Sequence, residues 1–219
     1  MALNTDRTPT PAADRSGGSP DLDASTDGRQ LRRKRNRESV VEALLDLYRD
    51  GNLRPSTEEI AARSGLSPRS LFRYFEDVDD LTRAAIMRQE ARAMPLVAVD
   101  VGPEETWERK VAALVEQRFL LFDAVGHAAA VTRLRAPFQP LLAAELSQNR
   151  RFLRSQVSAL FAPEVAAMDE KRSVSTLAAI DILTSFESYQ LLTEGRSMPS
   201  SEAAALVADA LSVLIGPVH

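Results

Sequence analysis

Hydrophobic residues recur every three or four positions along most of this chain. Such spacing places them on one side of an α-helix, and no stretch shows the sustained alternation that is typical of a half-buried strand. The pattern therefore predicts an all-α protein. Glycine and proline positions divide it into about nine helices, two short ones within residues 56–76 and longer ones at about 35–49, 78–94, 104–125, 127–135, 139–161, 168–194 and 200–215.

The strongest local pattern is a pair of short helices joined by a glycine-centred turn. Ser56 and Glu59 have the spacing of a capping box, in which each side chain bonds to the other residue's backbone amide. Gly65 can adopt the positive φ that ends a helix and reverses the chain. Ser67 followed by Pro68 is a favoured start for the second helix. The segment therefore predicts a helix-turn-helix.

The outer side of the second helix carries arginine, hydroxyl and aromatic groups. Leu71 and Phe75, four residues apart, face the core and leave the other positions outward. These groups suit base edges and phosphates, which indicates DNA binding. An incidental helical hairpin is the alternative, although a solvated helix face rarely carries both Phe and Tyr. The outward candidates are Ser67, Pro68, Arg69, Ser70, Phe72, Arg73 and Tyr74.

The run IAARSGLSPRSLFRYFEDVDDL, preceded by Thr57, resembles the N-terminal domain of TetR-type transcriptional regulators. The resemblance is specific over residues 36–86 and only architectural beyond them. It implies a helix-turn-helix domain at residues 29–76 and a helical effector-binding and dimerisation domain at residues 77–219. It also implies a homodimer paired through its last two long helices. Such a dimer would read a palindromic double-stranded operator as a repressor and leave it on binding a small molecule.

Different roles are expected for the residues that would face DNA. Arg69 and Arg73 are the base-reading candidates, because a guanidinium can donate two hydrogen bonds to guanine. Thr57 and Tyr74 are better placed for phosphates, which set the position of the protein on the duplex without specifying sequence.

Two positions depart from the family's pattern. Phe72 stands where a tyrosine hydroxyl would reach a phosphate, and Val78 stands among acids where a lysine is usual. Residues 29–37 carry six basic residues and no acid. A run of charges is often only a solvated helix face, but this one adjoins the first helix of the predicted DNA-binding domain. We therefore expect residues 29–37 to replace the phosphate contacts that Phe72 and Val78 cannot make, by binding phosphates or the minor groove. The arm residues chosen for these contacts are Arg32, Arg33 and Arg35.

The formal net charge of −4 conceals a division along the chain. Residues 1–28 carry a net −3, residues 29–93 a net +3 and residues 94–219 a net −4, so the positive part coincides with the helix-turn-helix. Residues 1–28 are rich in Asp, Ser, Pro and Gly with almost no apolar groups, which predicts disorder.

The composition also limits the classes of protein. Without cysteine there can be no disulfide and no thiolate metal site. No apolar run approaches the roughly 18 residues that a membrane helix needs, and the N-terminus has no apolar signal core. We therefore expect a cytoplasmic protein without a membrane partner.

In the resembling family the middle helices enclose a small-molecule pocket. Aromatic residues and polar residues that interrupt apolar helix faces are the candidates for its lining, because a polar group facing a core must find a partner. Internal salt bridges, subunit contacts or plain core packing explain the same residues. A lining of this composition suggests a mainly hydrophobic effector. The candidates are Trp107, Arg118, Phe119, Phe122, Phe138, Asn149, Phe152, Phe186, Glu187 and Tyr189.

No catalytic constellation is recognisable in the sequence. There is no nucleophile elbow, no phosphate loop and no pair of histidines at ligand spacing, so we expect neither an enzyme nor a bound metal or cofactor. Two alternatives to the ligand-responsive repressor stay open. One is a DNA-binding regulator without an effector, and the other is an all-α module whose basic run contacts an acidic protein.

Overall fold

The protein is all-α, as the periodicity predicts. The computed structural model describes the backbone of residues 20–215 and the side chains of residues 28–213, and this part of the chain contains ten α-helices and no strand. The helices are α1 (Pro20–Arg49), α2 (Thr57–Ser64), α3 (Pro68–Leu71), α4 (Val78–Ala93), α5 (Trp107–Arg135), α6 (Pro140–Leu160), α7 (Ala162–Ala166), α8 (Glu170–Leu183), α9 (Phe186–Gln190) and α10 (Ser200–Ile215). Short 3₁₀ turns follow α4 and α5 at Met94–Leu96 and Ala136–Phe138, and a π-helical turn follows α9 at Leu191–Gly195.

Local chemistry determines the bounds of α2. The Glu59 amide donates to Ser56 Oγ at 3.2 Å, and the Ser56 amide donates to Glu59 Oε2 at 2.7 Å, which completes the predicted capping box. Gly65 ends the helix at φ 72°, in the left-handed region. Its amide donates back to the carbonyls of Ala61 and Ala62. The turn therefore satisfies the backbone groups that a helix end leaves open.

The second helix of the helix-turn-helix, which with the turns up to Phe75 forms the reading segment, is shorter than expected. Only Pro68–Leu71 is α-helical, and the amides of Arg73 and Tyr74 bond three residues back, to the carbonyls of Ser70 and Leu71. The Phe75 amide returns to the Leu71 carbonyl at 3.1 Å. The chain therefore continues to Phe75 in turns that resemble a 3₁₀-helix. The residues predicted to face outward follow one another along these turns as they would along a helix.

The first helix begins earlier than the apolar pattern indicates. The structure places residues 20–28 within α1, where disorder was expected, and residues 1–19 lie outside the described part of the chain. Proline is favoured at a first helical position, where a missing amide hydrogen costs nothing, and Pro20 occupies that position. A helix-start residue, rather than an apolar face, therefore marks this end.

Two predicted helix boundaries differ from the observed ones in the larger half. Gly126 does not interrupt α5, since a single glycine costs a helix only about 1 kcal/mol. The predicted helix at 168–194 is instead divided at Thr184 and Ser185. The Thr184 hydroxyl donates to the Ile180 carbonyl, and Ser185 caps the next helix by accepting from the Ser188 amide, so local side-chain bonds replace helical ones.

The chain divides into two units, Met1–Glu38 and Ser39–His219, and the described part of the first is the N-terminal portion of α1. The second unit contains two apolar clusters. One contains residues of α1, α2, α3 and α4, among them Leu44, Ile60 and Leu71. It also includes Val131 of α5 and Leu142 of α6. The helix-turn-helix therefore shares its core with the ends of two helices from the larger half. The other cluster lies among α5, α6, α8, α9 and α10.

Two glycine substitutions should have effects of opposite sign. Gly65→Ala should lower the free energy of unfolding by about 1 kcal/mol, because alanine is strained at φ 72°. Gly126→Ala should raise it by about 1 kcal/mol, because a Cβ at this helical position meets no atom within 4 Å. Urea unfolding followed by circular dichroism measures both. Equal shifts in the same direction would contradict the assigned backbone conformations.

Candidate functional site

The helix-turn-helix is held by a core that leaves one side of the reading segment free. Val40, Leu44 and Tyr48 of α1 are buried in the same apolar cluster as Leu71 and Phe75, which are only 3% and 4% exposed. These anchors fix the rotation of the segment around its own axis. Phe72 and Arg73 between them face away from the core, whereas Tyr74 is half-buried and packs against it.

Five of the predicted contact residues are exposed on that outer side. Ser67, Pro68 and Arg69 are exposed, and so are Phe72 and Arg73, with 53% of Phe72 open to solvent. About half of the Phe72 side chain is therefore not covered by the core, and this apolar surface is available to a partner. The remaining predicted residues Thr57, Ser70 and Tyr74 are half-buried.

Two arginines on this side lack an internal partner. The side chains of Arg69 and Arg73 make no hydrogen bond or ion pair with any other residue that the structure describes. Both are exposed, so their guanidinium groups keep all their donors for a ligand. Ser70 differs, because its hydroxyl lies 2.9 Å from that of Ser67, and its amide donates to Ser67 Oγ at 3.3 Å.

The acidic residues after the reading segment have internal roles. Asp77 caps α4 by accepting from the Asp80 amide at 2.7 Å, and Asp79 pairs with Arg135 at the end of α5 at 2.8 Å. Asp80 accepts from the Glu76 amide at 3.3 Å. The acids that made this place look unfavourable for DNA therefore start α4 and connect it to α5.

The basic arm is accessible. Arg32, Arg33 and Arg35 are exposed on α1, as is Lys34 between them. Exposed cations at this density along a helix can neutralise phosphates, which is the chemistry expected of them.

A cavity of about 330 Å³ lies among α4, α5 and α6, closed on one side by Phe186 of α9. Its size is at the lower end of the roughly 300–1,000 Å³ typical of small-molecule sites, and its walls are mainly apolar. The lining residues are Ile86, Gln89, Glu90, Ala93, Met94, Val97, Leu121, Phe122, Val125, Ala128, Ala129, Thr132, Arg133, Leu146, Gln148, Asn149, Arg150, Phe152, Leu153 and Phe186.

Four of the ten candidate effector residues lie in this wall, namely Phe122, Asn149, Phe152 and Phe186. The other six, Trp107, Arg118, Phe119, Phe138, Glu187 and Tyr189, lie elsewhere.

The aromatic residues outside the wall have packing or solvent contacts instead. Trp107 packs on Phe161 with ring centroids 4.9 Å apart, and Phe119 meets Tyr189 edge to face at 5.4 Å. Phe138 is 82% exposed in the turn after α5.

Arg118 belongs to a buried amide network. Its guanidinium is 1% exposed and donates to the side-chain oxygens of Gln117 and Gln156, and to the Leu153 carbonyl at 2.9 Å. The two glutamine amides in turn donate to the Leu96 and Val97 carbonyls at 2.6 and 2.7 Å. Burial lowers the pKa of Arg118 to about 10, which leaves it charged at neutral pH. The network holds the chain after α4 against α5 and α6.

Glu187 lies in an outer groove beside the cavity. It accepts from Arg133 Nε at 2.9 Å and from Arg150. Burial would raise the pKa of Glu187, but the two guanidinium groups outweigh it and lower that pKa to about 2. Glu187 thus offsets one of the two positive charges that Arg133 and Arg150 bring to the cavity wall.

Glu90 is the acidic group of the cavity wall. Asn149 Nδ2 donates to Glu90 Oε1 at 2.7 Å. Burial, and then a hydrogen bond with the nearby carboxyl group of Glu145, raise the pKa of Glu90 to about 7. Our sequence reasoning missed this residue. Its spacing was informative, because Glu90 falls between the buried Ile86 and Ala93 on one face of α4.

A solved transcriptional regulator shares this fold. That protein, from Rhodococcus sp. Rha1, aligns with a TM-score of 0.59 and 21% sequence identity, over 84% of this chain and 99% of that chain. At this identity the similarity establishes the fold. No protein-family model and no curated protein matches the sequence.

Neither a membrane-spanning helix nor a cluster of metal-binding side chains is found in the part of the chain that the structure describes. Within residues 20–215, no helix is both long and apolar enough to cross a membrane. The same part of the chain contains no group of three or more His, Cys, Asp or Glu residues that could hold a metal ion.

Replacing Glu90 with glutamine should change how stability depends on pH. A carboxyl whose pKa rises from 4.5 unfolded to about 7 folded binds more protons in the folded state, so stability falls as pH increases through that window. Glu90→Gln removes this loss, on the order of 1 kcal/mol after solvent screening. Urea unfolding at about pH 4.5 and about pH 8 measures it. Glu116→Gln, an exposed site on α5, should leave the pH dependence unchanged.

Proposed function

We propose that this protein is a sequence-specific DNA-binding transcriptional regulator of the TetR type. The observation that carries the proposal is the outer side of α3 and the coil after it. There the side chains of Arg69 and Arg73 are exposed and bond to no other described residue, beside an exposed Phe72. The major groove of DNA is wide enough to admit a helical segment. Two guanidinium groups and an apolar ring on such a segment suit the recognition of base edges.

The contacts divide by chemistry. Arg69 and Arg73 would each donate two hydrogen bonds to guanine, and Phe72 or Pro68 would contact a thymine methyl group. Phosphates would be bound by Thr57 and Tyr74, and by the arm at Arg32, Arg33 and Arg35. Ser67 and Ser70 already share a hydrogen bond, so each has a reduced capacity for the DNA.

A homodimer would double the few base contacts of one short helix. Its proposed interface is formed by α8 and α10, which pack against each other and carry apolar side chains that remain open to solvent. Val174 and Ile182 are each 64% exposed, Leu206 is 46% and Val213 is 84% exposed. Two-fold pairing of this face would present two reading heads to a palindromic operator.

Repression would be relieved by a small molecule in the cavity. The cavity is walled by α4, the helix that directly follows the reading segment, and by α5 and α6. A ligand that fits one position of α4 better than another would change operator affinity by a coupling free energy of about 1–3 kcal/mol.

Selection from a library of random DNA duplexes tests the proposed function. Enrichment of a palindromic sequence, and its binding by fluorescence anisotropy well above the affinity for scrambled duplex, is the expected result. If repeated rounds enrich no sequence, the chain is not a specific regulator. Binding of an acidic protein by the basic run would then become the better account.

Deleting residues 1–34 should weaken binding to all DNA sequences and reduce its dependence on salt. The deletion removes Arg29, Arg32, Arg33 and Lys34, and each lost phosphate contact flattens the plot of log affinity against log salt by about 0.9. Anisotropy titrations at several salt concentrations, with operator and scrambled duplexes, measure the slope. Deleting residues 1–28 alone keeps the arm and is the control. An unchanged slope after the longer deletion would exclude the arm from phosphate binding.

A further inference from the structure

The cavity wall contains a carboxyl group that pairs with no cation among the residues whose side chains the structure describes. Glu90 lines the wall, and its polar neighbours are the Asn149 amide at 2.7 Å and the carboxyl group of Glu145. Arg88 and Arg92, on the same helix, both pair with Glu42 of α1. Glu90 therefore has a second carboxyl group and an amide beside it in a mainly apolar wall, and no cation among the described residues pairs with it.

The two arginines of the cavity wall, Arg133 and Arg150, are already paired with a carboxylate. Arg133 donates to Glu187 at 2.9 Å and to the Ala129 carbonyl at 3.3 Å, and its guanidinium stacks on the Phe186 ring at 4.1 Å. Arg150 also binds Glu187. Glu187 therefore offsets one of the two positive charges and holds both side chains, whereas Glu90 pairs with no cation among the described residues.

We propose that the cavity binds a lipophilic ligand with a basic nitrogen, whose ammonium group pairs with Glu90 while its hydrocarbon part contacts Phe122, Phe152 and Phe186. This inference rests on the proposal that the cavity is an effector site. It narrows the ligand class from hydrophobic molecules to hydrophobic amines. A charge-assisted hydrogen bond in a partly dry cavity is among the stronger polar contacts that a protein can offer.

The same contact provides a route from ligand to DNA-binding head. The Asn149–Glu90 hydrogen bond joins α6 to α4, and Gln89 next to Glu90 donates to the Ala124 carbonyl of α5. An ammonium group that takes over Glu90 competes with Asn149 and weakens one of the bonds that hold α4. Since α4 follows the reading segment directly, its movement changes the position of that segment.

Pairing also moves a proton. With a pKa of about 7, the Glu90 carboxyl group is partly protonated near neutral pH, and an ammonium group beside it favours its ionised form. The ligand keeps its own proton, and the carboxyl proton leaves for the buffer. Amine binding should therefore be accompanied by proton release.

Three probes with the same hydrocarbon skeleton test the ligand class. Phenylbutylamine, phenylbutanol and phenylbutanoate are titrated into the full-length protein by isothermal calorimetry. The amine should bind about tenfold or more tightly than the alcohol, because a hydrogen bond to a charged group is stronger than a neutral one. Its binding enthalpy should vary with the ionisation enthalpy of the buffer, and that of the alcohol should not. This second readout needs no variant.

Glu90→Gln should remove the preference for the amine and the buffer dependence while keeping the affinity for the alcohol. Glu116→Gln, the same change at an exposed site on α5, should alter neither. Equal affinity for all three probes, preference for the carboxylate, or no binding at all would overturn the proposal.

DNA titrations separate this inference from the proposed function. The amine should weaken operator binding by wild-type protein and have less effect on Glu90→Gln. Failure to find any operator, with the amine preference intact, would overturn the regulator and leave the ligand class supported.

Discussion

Replacing Ile182 with glutamate should convert a dimer into a monomer and weaken operator binding by about 10²–10⁴-fold, the gain that linking two binding modules typically provides. Ile182 is 64% exposed on α8 although it is a large apolar residue. In the proposed dimer, glutamate there would bury an unpaired charge on each side of the interface, and that charge carries a large desolvation cost. Light scattering after size exclusion gives the oligomeric state, and anisotropy gives the operator affinity.

Leu141→Glu is the matched control for this experiment. Leu141 is 63% exposed, but it lies on α6, outside the proposed interface. The control should remain dimeric and keep its operator affinity. If both variants or neither become monomeric, the α8 and α10 face is not the interface.

Arg73→Ala should cost about 1–3 kcal/mol at each half-site and relax the preference for one base position. The reason is that Arg73 is exposed at the end of the reading segment, with its guanidinium donors unused by the rest of the described chain. Anisotropy titrations against the selected operator and single-base variants measure the loss. The variant should fail to distinguish the bases at one position while still distinguishing those at the others.

Arg109→Ala provides the control, because Arg109 is also exposed and lies at the start of α5. It should bind every duplex as the wild type does. A uniform loss over all sequences for Arg73→Ala would assign Arg73 to a phosphate, and no loss at all would remove it from the interface.

Local sequence was sufficient to predict the helix-turn-helix. Ser56, Glu59, Gly65 and Ser67 act on backbone groups within a few residues of themselves, so their spacing alone specifies where the helices start and end. Leu71 and Phe75 follow from the same helical period, which is why the outward residues were identified without a structure. The predicted length of α3 was too great, because the change to 3₁₀-like turns after Leu71 depends on how the helix-turn-helix packs.

The assignment of residues to the cavity could not be made in the same way. Glu90 and Asn149 are 59 residues apart, and Arg118 and Gln156 are 38 apart. Helical periodicity places each of these residues on a buried face, but it does not specify which faces meet. Sequence reasoning therefore grouped Arg118 with Asn149, although one belongs to a buried amide network and the other to the cavity wall.

The sequence by itself determined the all-α class, the helix-turn-helix and the residues on its outer side, because these depend on interactions between near neighbours along the chain. Only the tertiary structure decided which polar residues share the cavity, how the acids around Asp77 are used and which apolar residues of α8 and α10 remain exposed. These features depend on the packing of helices that are distant in sequence, where a one-residue rotation of a helix exchanges a core position for a surface one.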